Sequence, residues 1–203
     1  MPRNARPSTS RPLDQTFYTR PAIEVASDLI GKTIVRRVDA EEFRARIVET
    51  EAYIGTHDLA SHSSKGRTRR TEVMFGPAGH AYVYLIYGMY EMFNIVVGDV
   101  DDAQAVLIRA AEPLNGWQAD LSGPGKLCRA LQITRADNGL ELTGRDLHLV
   151  DDIGPQPQVV ATPRIGIDYA GEWKHALLRF VDPSSRCLSS RKGLSVPLRA
   201  RES

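Results

Sequence analysis

The hydrophobic positions of this chain fall into two periods. Near the N-terminus Ala22, Val25, Ala26, Leu29 and Ile30 recur at helical spacing and share one face. Thr19 is placed to cap that helix, Pro21 suits its first turn and Gly31 supplies the stop. Strands are expected at residues 32–37 and 43–51. In the second, Phe43, Ala45 and Ile47 alternate with Arg44 and Arg46, a period of two that gives one buried and one wet face. Continuing that period places Glu49 and Glu51 at the far end of the apolar face. Residues 55–79 are polar and rich in Gly, Ser and Arg and read as a long loop with one helical turn. Strands at 81–86 and 92–97 follow, joined as a hairpin around Gly88, with a further strand at 105–109. A helix is expected over 122–131, with Ser122 as cap and Pro124 in its first turn. Short strands are expected around Ile165, Ile167 and residues 177–180. The elements mix without a regular βαβ rhythm, so the pattern predicts a single α+β domain rather than a doubly wound sheet.

Composition narrows this picture only a little. The 203 residues are 42% hydrophobic and 25% charged, which excludes coiled-coil, collagen-like and wholly disordered chains. No apolar run approaches the roughly 20 residues of a membrane helix, and the first residues lack the apolar core of an export signal. Two cysteines, Cys128 and Cys187, are too few for a disulfide framework and too far apart for a zinc knuckle. The net charge of +1 conceals segregation. Arg3, Arg6, Arg11 and Arg20 sit near the start, and residues 1–16 read as a flexible basic arm before a domain over 17–203. Lys65, Arg67, Arg69 and Arg70 form a second basic cluster. Arg186, Arg191, Lys192, Arg199 and Arg201 make the end basic from about residue 184. The acids Asp99, Asp101, Asp102, Asp151 and Asp152 lie elsewhere.

Three sets of residues carry candidate chemistry. Glu49 and Glu51 close an apolar stripe, where an ionised carboxylate is suited to take a proton from water; periodicity does not choose between them. Four of the seven tyrosines lie within residues 82–90. Tyr82 and Tyr84 suit a packed aromatic ladder, but Tyr87 falls at the hairpin tip, where packing does not explain it and a base stack would. His62, Asn94 and Arg109 are polar residues near strand ends. There is no G-x-S-x-G elbow, no G-x-G-x-x-G and no complete phosphate loop. His57, Asp58, His62 and His80 match no zinc spacing.

Together, residues 46–53 (RIVETEAY), 60–63 (ASHS), 82–90, Asn94, 107–110 (LIRA), 122–127 and 170–173 (AGEW) are similar to the methylpurine-DNA glycosylase family, colinearly from about residue 20 to 181. The resemblance implies a curved antiparallel sheet with peripheral helices and a protruding hairpin that enters DNA. It implies flipping of alkylated or deaminated purines out of duplex DNA and hydrolysis of the N-glycosidic bond. By position it makes Glu51 the general base and Arg109 the residue that helps hold the attacking water. Tyr53 and Tyr84 become walls around the base with His62 opposite, and Asn94 crowds the 2-amino group of guanine. Tyr87 becomes the wedge, and Met74 lies near the gap on the other strand. Lys65, Arg67, Arg69 and Arg70 are expected on the DNA backbone. No lysine falls among the matched pocket positions, so water is the expected nucleophile, with no strand-cleaving step. The implied partner is damaged double-stranded DNA bound by a monomer, with no cofactor, metal or membrane. The expected location is the cytoplasm and nucleoid of a bacterium, or the nucleus of a eukaryote. The competing expectations are a non-catalytic module that stacks bases on the same tyrosines, and a hydrolase of free nucleosides.

Overall fold

The structure, a computed structural model, describes residues 11–151 and 156–194. In chain order it contains helices α1 (Gln15–Tyr18) and α2 (Ala22–Asp28), strands β1 (Thr33–Val38) and β2 (Glu41–Tyr53), and a loop with two 3-10 turns, His62–Lys65 and Glu72–Phe75. Strands β3 (Ala81–Ile86), β4 (Tyr90–Val97) and β5 (Gln104–Pro113) follow, then helix α3 (Pro124–Ala130) and strands β6 (Leu147–Val150), β7 (Val160–Thr162) and β8 (Arg179–Val181). All strand pairs are antiparallel, in the order β3-β4-β5-β2-β1-β6, with β8 joining β2 and β7 joining β8. The molecule is an α+β domain built on one curled antiparallel sheet.

The curl originates in β2. One of its edges is paired with β5 over residues 45–53. The other edge is paired first with β1, over residues 41–46, and then with β8, over residues 49–51. Where the partner changes, the register slips twice. Ile47 pairs with Ala111 and Glu49 with Ala110, leaving Val48 extra on β2; Thr50 then pairs with Ile108, leaving Arg109 extra on β5. An extra residue bends a strand and shifts the phase of its side chains. The main core therefore takes Ala45 and Ile47 before the bulges and Ala52 after them, with Thr50 beneath α2, its hydroxyl donating to the Ala26 carbonyl (2.7 Å). Glu49 and Glu51 do not share the Ala45–Ile47 face, as strict alternation predicts; the bulge pair sends them to the opposite side of the sheet.

The helical stripe matches expectation: Ala22, Val25, Ala26, Leu29 and Ile30 are all fully buried. The cap does not. Helix α2 starts after Pro21 with no side-chain cap, and Thr19 closes the preceding turn α1 instead. Residues 1–10 of the expected arm lie outside the described residues; Pro12 bridges Val150, and Leu13 is buried with its N–H on the Leu149 carbonyl. Helix α3 begins after Gly123, because the Ser122 hydroxyl donates to Asp120 rather than capping. Ile165 and Ile167 lie in a loop rather than in strands. The polar loop carries two turns rather than one. Beyond β8 the chain is packed, with Leu188 buried against Val48, Ala110 and Val181; Arg199 and Arg201 lie outside the described residues.

Candidate active site

On the sheet face away from α2, β2, β3, β4 and β5 line a cavity of about 250 Å³. Its walls include Tyr53, His62, Met74, Tyr82, Tyr84, Asn94, Leu107, Arg109 and the loop Ile165–Gly166–Ile167. Glu51 lies immediately behind this lining and is fully buried. Its Oε1 accepts from the Ile165 N–H (2.8 Å), and its Oε2 accepts from the Tyr53 hydroxyl (3.0 Å) and Arg109 Nη1 (3.2 Å). All three donors belong to lining residues. A carboxylate offers about four acceptor positions, and three are taken by donors among the described residues.

Glu49, two residues earlier and equally buried, has four donors, of which only Arg109 belongs to the cavity lining. Its Oε1 accepts from Arg109 Nε (3.2 Å), Arg179 Nε (2.7 Å) and the Ser189 hydroxyl (2.7 Å), and its Oε2 from the Ser189 N–H (2.6 Å). The geometry thus separates two acids that periodicity left equal. Burial works against the charge on Arg109, but Glu51 and Glu49 hold it and raise its pKa.

The aromatic walls are uncharged. Burial, with Glu51 second, lifts the Tyr53 phenol well above its ordinary value. Burial likewise raises Tyr84 and pushes Tyr82 up to about 12. Burial, followed by the charges of Arg70 and Lys65, lowers His62 to about 4, so its imidazole is neutral at pH 7. His62 Nδ1 meets the Tyr82 hydroxyl at 3.0 Å, and its ring contacts Tyr84 edgewise at 4.4 Å. His62 and Tyr84 therefore form one corner, with no space for a base between them. Asn94 is buried, its Nδ2 donating to the Tyr82 (3.1 Å) and Met92 (3.3 Å) carbonyls.

Strands β3 and β4 end in a tight turn. Tyr87 (φ 53°) and Gly88 (φ 69°) are both left-handed, and the Met89 N–H donates to the Ile86 carbonyl (3.2 Å). Such turns favour Asn and Gly; here the first position holds an aromatic side chain that is 84% exposed. Below the tip, Tyr90 packs on Gly125 of α3, where an added Cβ would fall 2.9 Å from its ring. Met74 does not fit the role that the resemblance gives it. It is 3% exposed, packed with Phe75 and Tyr82, and cannot enter a duplex. Met89, beside Tyr87, is 66% exposed.

Of the four basic loop residues, Lys65 and Arg69 are exposed and have no charge partner among the described residues. Arg67 pairs with Glu72 and Asp101, both at 3.3 Å. Arg70 lies 5.3 Å above the Tyr84 ring and donates to the Leu85 carbonyl.

Sequence reasoning missed a second support. Arg164 and Asp58 form a fully buried two-pronged ion pair (2.5 and 2.8 Å). Arg164 also lies 4.8 Å over the Tyr53 ring, and the next residue supplies the N–H that holds Glu51. Charge alone could have flagged Asp58, but its partner is 106 positions away. Among the described residues no three His, Cys, Asp or Glu side chains gather as a metal group.

The site is an aromatic cavity of about 250 Å³ backed by a buried acid and arginine, with an exposed aromatic at a hairpin tip. The methylpurine-DNA glycosylase family model matches residues 16–186, and the chain belongs to that family. A relative from Methanocella arvoryzae is 50% identical over 192 residues, 88% of this chain and 96% of its own length. One from Legionella pneumophila strain Lens is 50% identical over 171 residues (84% and 93%). One from Myxococcus xanthus is 52% identical over 164 (79% and 84%). Each carries the name "Putative 3-methyladenine DNA glycosylase". The protein is a DNA glycosylase, a hydrolase of N-glycosyl bonds.

Proposed function

We propose that the protein takes an alkylated or deaminated purine, of the 3-methyladenine, 7-methylguanine or hypoxanthine type, out of duplex DNA into the aromatic cavity, and hydrolyses its glycosidic bond with water activated by Glu51. The observation that carries this reading is the Glu51 carboxylate, set directly behind the cavity wall and held by three donors that all belong to the cavity lining, Arg109 among them. Water beside the carboxylate passes its proton to Glu51 as its oxygen bonds to C1′ of the sugar. The C1′–N bond breaks and its electron pair leaves with the base. The carboxylate also opposes the positive charge that develops on the sugar. General-base help of this kind is worth about 10²–10⁴ in rate.

A 3-methyladenine or 7-methylguanine nucleotide is cationic, and its base leaves as a neutral molecule. Neutral aromatic walls suit it, by cation–π attraction of about 0.5–2 kcal/mol, and a neutral His62 avoids repelling it. Tyr87 is the wedge that fills the space left in the helix; base–aromatic stacking contributes about 1–3 kcal/mol, similar to the cost of extrusion. Lys65 and Arg69 are free to meet phosphates. Among the described residues the cavity lining contains no lysine, and the nucleophile of this reading is water.

The test is Glu51→Gln on a duplex with one hypoxanthine or 7-methylguanine. Base release under single-turnover conditions is expected to fall by at least about a hundredfold, with duplex affinity retained. Release at the wild-type rate removes Glu51 from the mechanism. A wild-type protein that binds the duplex and releases no base supports the stacking module, and cleavage of free nucleosides supports the third reading.

A further inference from the structure

We infer that Glu49, Arg179 and the segment Ser189–Lys192 form a positioning device that aims the Arg109 guanidinium, so that Glu49 governs the rate of base release without touching base or water. This rests on the role proposed for Arg109 and extends it to residues outside the cavity.

Arg109 is the extra residue of the β5 bulge, so no ladder neighbour fixes its direction. Its fork is fixed from the side instead. Nε donates to Glu49 Oε1 (3.2 Å) and to the Ser189 hydroxyl (3.3 Å), which leaves Nη1 on Glu51 Oε2 (3.2 Å). A guanidinium is planar, so holding Nε sets where both terminal nitrogens point. Glu49 must itself be immobile to do this. The fully buried Arg179 binds its Oε1, and Ser189 grips both its oxygens, through the N–H and the hydroxyl.

Arg179 is tied to the closing segment. Nη1 donates to the Thr162 hydroxyl (3.2 Å) and the Lys192 carbonyl (3.0 Å), and Nη2 to the Ser190 carbonyl. The segment is anchored independently of this cluster. Leu188 is buried beneath it, and Arg191 donates to the Ser185 and Pro183 carbonyls.

Charge gives a second reason for Glu49. Arg109 and Arg179 share a buried region, and Glu51 alone would leave it with a net positive charge. Glu49 brings the sum of the four groups to zero. A buried ionic cluster is a poor way to gain stability compared with apolar packing; its product here is the direction of one guanidinium.

A double-mutant cycle tests this, reading single-turnover release, duplex affinity and melting temperature. Glu49→Gln is expected to slow release by about tenfold or more while affinity stays within about threefold. In an Arg109→Ala background the same substitution is expected to change the rate by less than about twofold, because effects transmitted through one residue do not multiply. Ser189→Ala removes one hydroxyl and leaves its backbone bond to Glu49. It is expected to slow release several-fold, again only when Arg109 is present, and it carries the test if Glu49→Gln fails to fold. Slowing that multiplies in full onto Arg109→Ala overturns the positioning role and leaves the proposed mechanism standing. Wild-type release by Glu49→Gln or Ser189→Ala also overturns it. Wild-type release by Arg109→Ala removes Arg109 from the mechanism, and the positioning role with it.

Discussion

The two faces of β2 are made of different material. Toward α2 the strand presents Ala45, Ile47, Thr50 and Ala52, packed in a core that includes Leu29, Ile34, Phe93 and Ile108. On the opposite face it presents Glu49, Glu51 and Tyr53, whose neighbours are arginines, a serine and a cluster that includes Trp173. The first face gains stability by removing apolar surface from water. The second removes charges from water, which is costly unless every group is paired, and gains direction rather than cohesion. A single strand serves both because Val48 and Arg109 shift the phase of two neighbouring strands at one point.

Inserting one alanine between Thr50 and Glu51, beyond the bulge, is the harshest way to break this comparison. The added residue turns Glu51 and Tyr53 toward the core and Ala52 away from it, a one-residue slip that moves a side-chain set to the wrong face. The expected outcome is no cooperative thermal transition; an insertion that melts as the parent does refutes the division of the strand into two faces. Ile47→Ala acts on the packed face alone. It is expected to cost about 2–5 kcal/mol of stability in denaturant titration, with the rate of base release per folded molecule unchanged below the melting transition. A slowed rate would show that the two faces are not separate in effect.

The smallest effect sharpens the comparison from the cavity side. His62 has a pKa of about 4 in the fold, against an ordinary value of 6.5, because of burial first and the cations Arg70 and Lys65 second. Between these values the unfolded chain binds the proton and the folded chain does not. Its contribution to stability is therefore complete above pH 6.5 and is lost as pH falls toward 4. Melting temperature against pH is expected to fall less steeply across that window in His62→Gln than in the parent. Identical slopes would place the imidazole in a solvated setting.

Much of the scaffold was legible in the chain itself. The α2 stripe, the bounds of β3 and the hairpin around Gly88 follow from local spacing, and the structure reproduces them. Strand β6 was not anticipated, because all four of its residues are buried and so no alternation marks it. The bulge pair was missed for a related reason: a period of two contains no term for an inserted residue, and only the register of the paired strands exposes it. For the site, sequence and resemblance singled out Glu51, Arg109, Tyr53 and His62, which the structure gathers at one cavity. Met74 was misplaced because a resemblance carries a position without its burial. The partners of Glu49 lie 60, 130 and 140 residues away, a separation that no local pattern records.

One oxygen, Oε2 of Glu51, is held both by a phenol that shapes the chamber and by the guanidinium beside it. Under the proposed mechanism, discrimination and turnover are wired to the same atom. Enlarging the chamber through residue 53 to admit bulkier lesions would then detune the acid in the same stroke. Room for new substrates has to be found instead along the corner of His62 and Tyr84 or in the Ile165–Ile167 loop's side chains, where shape can drift while the reactive centre stays put.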